Sequence, residues 1–323
     1  ASVTLAVNGT AVTPVVNKTA GVTSVRFTPS TLLPAGSIHT IQMIYADTAS
    51  PAGRYTNNWK FTVENYATLG ASHSVPRASV DTASSGFTVR VAQGKDAAGF
   101  PGADLPNNTR RAEDQLAGRL PDLTSGQPLP NYALPGPGPG GSYSFDLINW
   151  NQSGDAGNFQ SGSTPPFPDE LIPGVPGSDP DSPSNMDNIA AEVIAYLDLP
   201  AGLHRLGVNS DDGFRVTAAA NPRDPAGAQL GMFEGGRGVA DSVFSVLAAE
   251  AGIYPVRLIW YEGGGGAALE FFSVDIPTGQ KILINDRNNS KGIRAYRSLA
   301  GPTRPFVSVS PLHNAVNVSG SAQ

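Results

Sequence analysis

The sequence predicts an all-β protein made of two sandwiches in series with few short helices. Short apolar runs alternate with polar residues at a period of two, which is typical of strands with one buried face. The runs are separated by turn residues, with 37 Gly and 28 Pro in 323 residues. Charged residues make up only 15% of the chain, and this turn-rich composition favours β-structure over helix.

Residues 1–66 are predicted to form an incomplete immunoglobulin-like sandwich. Turn signals such as Asn8-Gly9 separate five strand-like segments. These segments are residues 3–7, 12–16, 22–28, 38–45 and 59–63. A complete sandwich of this type has about seven strands, so we expect part of it to be missing. The Leu-Ala-Val-Asn-Gly-Thr run that starts at Leu5 and the Leu-Pro-Ala-Gly-Ser run that starts at Leu33 resemble the bacterial immunoglobulin-like modules of large surface proteins.

The following part of the chain contains strand signals separated by long loops. Alternation predicts strands within residues 87–91 and 143–150, and leucines four positions apart favour a short helix within residues 110–120. Residues 135–141 combine proline with glycine and are interpreted as an exposed loop. Residues 151–188 are predicted to form a loop whose length is usual only when the loop is functional or held by a partner.

Residues 191–275 carry the clearest strand pattern and frame the candidate site. The pattern predicts a half-buried strand at residues 192–199, a second strand at 203–208 and a third at 214–218. Asp211, Asp212 and Gly213 lie between the last two, which predicts a tight hairpin with two adjacent carboxylates at an exposed tip. A strand at residues 256–261, a glycine turn at 263–266 and an antiparallel partner at 268–275 are predicted to follow.

The order of these motifs resembles the β-sandwich family named after the anthrax protective antigen. The resemblance covers roughly residues 140–275 and rests on Asn-Ser-Asp-Asp-Gly at 209–213 and Tyr-Pro-Val-Arg-Leu-Ile-Trp-Tyr-Glu at 254–262. The family includes bacterial toxins, secreted glycosidases and fungal adhesins. In the adhesin branch, the residues that match Asp211 and Asp212 bind calcium, which in turn holds sugar hydroxyls. Other branches keep the fold without binding sugar.

Asp211 and Asp212 are therefore the candidate metal ligands, with calcium as the cation, because hard cations prefer carboxylate and carbonyl oxygens. The alternative is a solvated turn in which Asp caps backbone amides and Gly213 supplies a positive φ. Oxygen-bearing side chains at positions 179, 181, 185 and 187 are reminiscent of a calcium loop, but prolines interrupt the usual spacing. Among the aromatic residues, Trp260 is a candidate for stacking on a sugar together with the two aspartates, although aromatic residues at strand spacing also form cores.

The sequence offers no site for catalysis. The four histidines are scattered without metal-ligand spacing, and no nucleophile elbow, phosphate-binding loop or dinucleotide fingerprint occurs in the required context. A net charge of −6 without a basic run argues against a surface that binds nucleic acid. No apolar stretch has the length of a membrane span. The lack of cysteine fits a secreted, extracellular or cell-surface protein of bacterial type, and a secretion signal would precede Ala1.

The end of the chain predicts an assembly contact. The second sandwich is expected to span residues 67–304, and residues 305–323 resemble the opening strand of a further immunoglobulin-like module. The apolar positions of this segment are Phe306, Val307, Val309, Val316 and Val318. Because residues 1–66 lack this part, we expect the tail of one copy to pack into the first module of the next, as separate subunits or as continuous repeats.

Two functions remain open from the sequence. The first is a non-enzymatic extracellular structural or adhesive repeat protein that binds itself head-to-tail in a fibre or surface layer. The alternative is a calcium-dependent carbohydrate-binding module of a secreted glycosidase or adhesin, with glycans as partners.

Overall fold

The computed structural model describes residues 2–47, 49–94, 105–122, 125–152, 156–178 and 186–301. Within these ranges the protein consists mainly of β-strands, with one α-helix and three short 3-10 helices. The predicted all-β fold class is therefore confirmed. Over the same ranges, no helix has the length and apolar character needed to cross a membrane.

The first region, residues 2–66, consists of a four-stranded antiparallel sheet and a separate hairpin. Its strands are β1 (Val3–Val7), β2 (Thr10–Val12), β3 (Val15–Thr19), β4 (Val22–Arg26), β5 (Ile38–Ala46) and β6 (Arg54–Thr62). The sheet has the order β2-β1-β5-β6, and β3 pairs with β4. The predicted strand at residues 12–16 is divided between β2 and β3 at Pro14, which has no N–H for a ladder. The immunoglobulin-like assignment stays a prediction.

The second region is a sandwich of two sheets. Its strands are β7 (Tyr66–Leu69), β8 (Phe87–Gln93), β9 (Tyr143–Phe145), β10 (Asn149–Asn151), β11 (Ile189–Leu199), β12 (Gly202–Asp211), β13 (Gly213–Ala218), β14 (Ala228–Phe233), β15 (Ala240–Ala248), β16 (Gly252–Glu262), β17 (Ala268–Val274), β18 (Lys281–Leu283) and β19 (Arg294–Tyr296). The six-stranded sheet has the order β10-β17-β12-β15-β7, with β18 on β17. The seven-stranded sheet has the order β14-β13-β16-β11-β8-β9, with β19 on β11.

The core of the second region lies between these two sheets. Phe87 of the seven-stranded sheet meets Phe271 of the six-stranded sheet edge-on, with ring centroids 6.4 Å apart. Trp150, Phe214 and Trp260 are also buried in this layer. Burial of each such aromatic side chain stabilises the fold by about 1.5–3 kcal/mol relative to leaving it exposed. The packing of these side chains therefore stabilises the contact between the two sheets.

The α-helix α1 (Thr109–Leu116) covers the outer face of the seven-stranded sheet. It begins after Asn108, whose side chain accepts a hydrogen bond of 2.8 Å from the Arg111 backbone N–H. The structure thus confirms a helix in the predicted segment 110–120. Because core and helix cover opposite faces, β11 is buried along almost its whole length. The predicted strand at residues 192–199 is confirmed, but the prediction that it is half-buried was wrong.

The predicted hairpins around the candidate site were also wrong, because the chain crosses between sheets at these points. β12 already pairs with β15 and β17, and β13 pairs with β14 and β16, so the two cannot pair with each other. After β16, the glycine turn likewise leads from the seven-stranded sheet to β17 in the six-stranded sheet. The predicted strand at residues 143–150 is similarly divided between β9 and β10, which lie in different sheets.

The assembly residues predicted from the sequence lie outside the described residues. They are Phe306, Val307, Val309, Val316 and Val318. The expectation that this segment completes the first region of another copy stays a prediction.

Candidate metal centre

Three carboxylates meet at one end of the sandwich, where the chain crosses between the sheets. Asp211 ends β12, Asp212 precedes β13, and Glu262 ends β16. One carboxylate oxygen of each lies within 4.8 Å of those of the other two. The two crossings therefore join acidic side chains that are distant in sequence.

Asp212 is buried, and three N–H groups fix the orientation of its carboxylate. Arg237 N donates to Oδ1 at 2.6 Å. Asn107 Nδ2 and Gly263 N donate to Oδ2 at 2.5 and 3.1 Å. Each carboxylate oxygen has two lone pairs, so these three N–H groups leave one lone pair of Oδ1 unused.

Glu262 is the most unusual member of the cluster. Its exposed fraction is 0%, and neither carboxylate oxygen accepts a hydrogen bond from any described residue. Burial first, and then the charges of Asp212 and Asp211, raise the pKa of Glu262 to about 10. A buried carboxylate without a donor is costly, and a bound cation would compensate it.

Asp211 opens the cluster toward solvent because it is only half-buried. Burial and then repulsion by Asp212 raise its pKa to about 6, while the charge of Arg237 acts in the opposite direction. The peptide bond that joins Asp211 to Asp212 is cis. The backbone oxygen of Asp211 accepts a hydrogen bond of 3.0 Å from Trp260 Nε1, so the wall of the site is tied to the core.

Arg111 supports the site from behind. It is buried in α1, and its guanidinium donates to the carbonyl oxygens of Ile189 and Glu262, each at 2.9 Å. A longer bond of 3.4 Å reaches Asn107 Oδ1. The same guanidinium therefore connects the loop before α1 with the ends of β11 and β16.

Two glycines allow the backbone to approach the carboxylates. A Cβ atom on Gly266 would lie 2.8 Å from Asp211 Oδ2, and one on Gly263 would lie 3.0 Å from Asn107 Nδ2. Both distances are too short for ordinary contact between these atoms. The glycine turn therefore lets the backbone lie close to Asp211 and Asn107, where the side chain of a larger residue would collide with them.

The structure corrects two details of the predicted site. The aspartates do not stand at an exposed hairpin tip, since Asp212 is buried and Asp211 half-buried at a crossing between sheets. Trp260 is completely buried and cannot stack on a sugar. The alternative calcium loop falls largely on residues 179–185, outside the described residues, whereas Asp187 Oδ1 accepts a bond of 3.2 Å from Gly265 N beside the cluster.

Sequence reasoning missed Glu262, Asn107, Arg111 and Arg237. Glu262 follows the apolar run Ile259-Trp260-Tyr261 directly, and a glutamate at the end of a buried strand is a signal for a site. Asn107 gave no comparable signal, because its role depends on a loop that returns to the sandwich only in the folded protein.

The donor set fits a hard cation. The three side chains offer only oxygen, the ligand type that Ca²⁺ prefers at 6–8 positions, and no histidine or cysteine that would select zinc belongs to this cluster. Glu262, with two buried oxygens that no donor satisfies, is the observation that distinguishes this cluster from a solvated acidic turn.

No family model matches the chain, and no curated protein matches it. Similar solved structures include the PA14 domain of the MpAFP antifreeze protein, with 11% identity, a TM-score of 0.39 and coverage of 68% of this chain and 94% of that one. A PA14 sugar-binding domain from an RTX adhesin has 15% identity, a TM-score of 0.37 and coverage of 62% and 95%. The A domain of epithelial adhesin 9 from Candida glabrata, in complex with Galβ1-3GlcNAc, has 14% identity, a TM-score of 0.42 and coverage of 74% and 99%. At these values the matches do not tell what this chain binds.

Proposed function

We propose that the protein is a non-enzymatic, extracellular adhesive protein whose second region binds carbohydrate through a calcium ion. The supporting observation is Glu262, whose two carboxylate oxygens are buried without a hydrogen-bond donor beside Asp211 and Asp212. A divalent cation would neutralise this cluster and satisfy those oxygens. Asp211, Asp212 and Glu262 are its proposed ligands.

The partial exposure of Asp211 supports a role in carbohydrate binding. Ca²⁺ takes 6–8 oxygen ligands, more than three carboxylates that each use one oxygen would provide. A cation next to Asp211 would therefore have coordination positions on the solvent side. Neighbouring hydroxyls of a sugar are neutral oxygen ligands with suitable spacing, so the cation would connect the sugar to the buried carboxylates.

The burial of Glu262 supports a binding role over catalysis. A general acid with a raised pKa must reach the proton acceptor on its substrate within about 3 Å or through one water. Glu262 has no exposed surface, and Asp212 is held by three N–H groups. Neither side chain is placed to contact a reacting bond.

Glycan-array binding with calcium and with a chelator tests this function. The protein is expected to bind a subset of glycans in calcium, and binding should be lost in chelator and in the Asp211→Asn/Asp212→Asn variant. Asp224→Asn is the matched control, because Asp224 is exposed in the turn that follows β13, at the opposite end of that strand. Equal binding with and without calcium, or no glycan binding under either condition, would contradict the proposal.

A separate observation favours a second, structural role in head-to-tail assembly of the chain. Of the apolar side chains that the structure describes between residues 2 and 66, only Leu5 and Ile41 are buried. A sheet with so small a core needs a further covering layer. A fibre or surface layer in which each copy covers the next would supply it.

A further inference from the structure

We propose that Lys281 and Asn158 react with each other and form an intramolecular isopeptide bond between Lys281 Nζ and Asn158 Cγ, with loss of ammonia. Asp241 and Glu270 are the two carboxyl groups that carry the protons. The bond is independent of the metal centre and of both roles proposed above. It is a single self-modification of the folded chain and not turnover of a substrate.

The two carboxyl groups lie on the outer face of the six-stranded sheet. Leu269 and Phe271 of β17 belong to the core between the sheets, so Glu270 between them points outward. Glu270 is opposite Asn209 of β12, which is in turn opposite Asp241 of β15. Opposite residues point to the same face of a sheet. Glu270, Asn209 and Asp241 therefore form one polar row across three strands.

Asn158 and Lys281 reach this row from two other segments. Asn158 lies in the long loop between β10 and β11, and Lys281 begins β18, which pairs with β17. A loop of this length in a compact domain is usually functional or held by a partner. The chain has no cysteine, so a disulfide cannot hold the loop, whereas a bond between these two side chains would.

The amine of Lys281 is in contact with the side-chain amide of Asn158. Lys281 Nζ donates a hydrogen bond of 2.5 Å to Asn158 Oδ1. Since an amide C=O bond is about 1.23 Å long, Nζ lies within about 3.7 Å of Asn158 Cγ. Reacting atoms about 3–3.5 Å apart form a near-attack arrangement. A small movement of the lysine side chain therefore brings its nitrogen to the amide carbon.

Two carboxyl groups contact the atoms that exchange protons. Asp241 Oδ2 accepts a hydrogen bond from Lys281 Nζ, and Asp241 Oδ1 accepts one of 2.7 Å from Asn158 Nδ2. Glu270 Oε2 accepts a further bond of 2.7 Å from Asn158 Nδ2. Asp241 is thus placed to take a proton from the amine, and Glu270 is placed to give one to the nitrogen that leaves.

Glu270 has the chemistry of a proton donor at neutral pH. It is buried, and burial raises its pKa to about 7 although the N–H groups of Phe159 and Asn158 act in the opposite direction. A carboxyl group with this pKa holds a proton in a large fraction of molecules at neutral pH. Two backbone N–H groups donate to Oε1, from Asn158 at 2.6 Å and from Phe159 at 3.0 Å. These bonds fix the carboxyl group with Oε2 at the amide nitrogen.

Aromatic rings cover one side of the reacting pair. Lys281 Nζ lies 5.5 Å from the centroid of the Phe272 ring, and the ring centroids of Phe272 and Phe159 are 6.1 Å apart. Both phenylalanines are buried. Exclusion of water from this side reduces hydrolysis of the amide, the reaction that would compete with attack by the amine.

The reaction balances without a further reactant. The ammonium group of Lys281 loses one proton to Asp241, and the freed electron pair of Nζ attacks Asn158 Cγ. Glu270 gives a proton to Nδ2, and the bond from Cγ to Nδ2 breaks. Nζ then returns a proton to Glu270 and keeps one hydrogen in the new secondary amide. Nδ2 leaves as ammonia, which takes the proton that Asp241 holds and departs as ammonium.

Intact-mass spectrometry of the denatured full chain tests the bond. After folding at neutral pH, the unaltered protein should have a mass about 17 Da below that of its sequence, the mass of one ammonia. Lys281→Arg keeps a cation beside Asp241 but offers no amine, so it should have its full sequence mass. Lys291→Arg is the matched control, because Lys291 donates to Asp275 at 2.6 Å outside this cluster. It should show the same loss as the unaltered protein.

Peptide mapping and a further variant locate the bond and its proton donor. Digestion of the unaltered protein should give one branched peptide that contains residues 158 and 281. Glu270→Gln has nearly the same shape but cannot act as an acid, so the bond should be present in only a small minority of its chains. Circular dichroism should show that every variant retains its β-sheet signal.

Thermal melting separates a covalent bond from an ion pair. The bond would close a covalent loop between side chains 123 positions apart. Lys281→Arg keeps the charge but loses the loop, so it should melt roughly 10 °C below the unaltered protein. Lys291→Arg should melt like the unaltered protein.

Three results would overturn the inference. The first is an unaltered protein with the full mass of its sequence, whatever the variants show. The second is a loss of ammonia that persists in Lys281→Arg, because the reaction would then lie elsewhere in the chain. The third is an equal melting temperature for the unaltered protein and Lys281→Arg. A bond that forms to the same extent in Glu270→Gln would overturn the role given to Glu270.

Discussion

Two buried glutamates in the same sheet have opposite surroundings. Glu192 lies in β11 on the face that α1 partly covers, and Glu262 ends the neighbouring strand β16. Arg223 Nη2 and Arg257 Nε donate to the Glu192 carboxylate at 2.5 and 2.7 Å. The Glu262 carboxylate receives no hydrogen bond from any described residue.

The difference between the two sites separates a carboxylate that the protein's own cations balance from one that they do not. Burial alone would raise the pKa of Glu192, but hydrogen bonds and charge from Arg223 and Arg257 outweigh it and lower that pKa. For Glu262 nothing outweighs burial, and its pKa is raised. Glu192 therefore completes a structural ion cluster, whereas Glu262 lacks a cation partner.

Removing each carboxylate from cation-free protein should give the largest contrast. Glu192→Ala removes the carboxylate that Arg223 and Arg257 share, while Arg257 keeps its two bonds of 2.7 Å to Glu113. The free energy of unfolding should therefore fall by about 2 kcal/mol. The raised pKa of Glu262 leaves its carboxyl group uncharged at neutral pH in cation-free protein, and no described residue donates a hydrogen bond to it. Glu262→Ala should therefore cost only a small cavity and a contact with Asp212, about 1 kcal/mol. Urea unfolding in the presence of a chelator measures both values.

Glu64→Ala is the control for these variants, because Glu64 forms an exposed ion pair of 2.8 Å with Arg205. Exposed pairs contribute about 0–1 kcal/mol, so this variant should unfold like the unaltered protein. A loss at Glu262→Ala as large as the loss at Glu192→Ala would mean that Glu262 also serves the fold, and the contrast would be wrong.

The pH dependence of stability should differ in sign between the two sites. The raised pKa of Glu262 means that the folded state binds more protons than the unfolded state between about pH 5 and pH 10. In cation-free protein its contribution is therefore complete below the unfolded pKa and is lost as pH rises, by at most about 1.4 kcal/mol per pH unit. The contribution of Glu192 is instead present above its unfolded pKa and is lost as pH falls through its lowered folded pKa.

Thermal melting in chelator between pH 7.5 and 9.5 isolates the first effect. Asp211 and Glu270, with pKa values raised to about 6 and about 7, have largely ionised below this window. Stability should decline with pH in the unaltered protein and decline less in Glu262→Gln. Parallel curves for the two proteins would show that Glu262 does not hold its proton in the folded state.

The sequence predicted the fold class because alternation and turn residues are local signals. It predicted the wrong partners for several strands because sheet membership depends on which edges are already occupied. β12 and β13 follow each other with a single residue between them, as in a hairpin, yet each has both edges paired with other strands. Cover on both faces of β11 likewise depends on α1, which is distant in sequence.

The candidate site was predictable only in part for the same reason. Asp211 and Asp212 are adjacent in the chain, so their residue type and spacing alone indicate a cation site. Glu262 and Asn107 join them only because the chain crosses between the sheets and the loop before α1 folds over the crossing. The burial that removes Trp260 from any role in sugar stacking is also a property of the packed sandwich.

Isothermal titration calorimetry of the full chain with Ca²⁺, after treatment with a chelator and its removal, tests the central claim most directly. We expect one calcium ion per chain at this site, no such binding in Asp211→Asn/Asp212→Asn, and unchanged binding in the control Asp224→Asn. Circular dichroism of each protein should show the same β-sheet signal. Absence of calcium binding in the unaltered protein, or equal binding in the double variant, would contradict the assignment of Asp211, Asp212 and Glu262 as a metal centre.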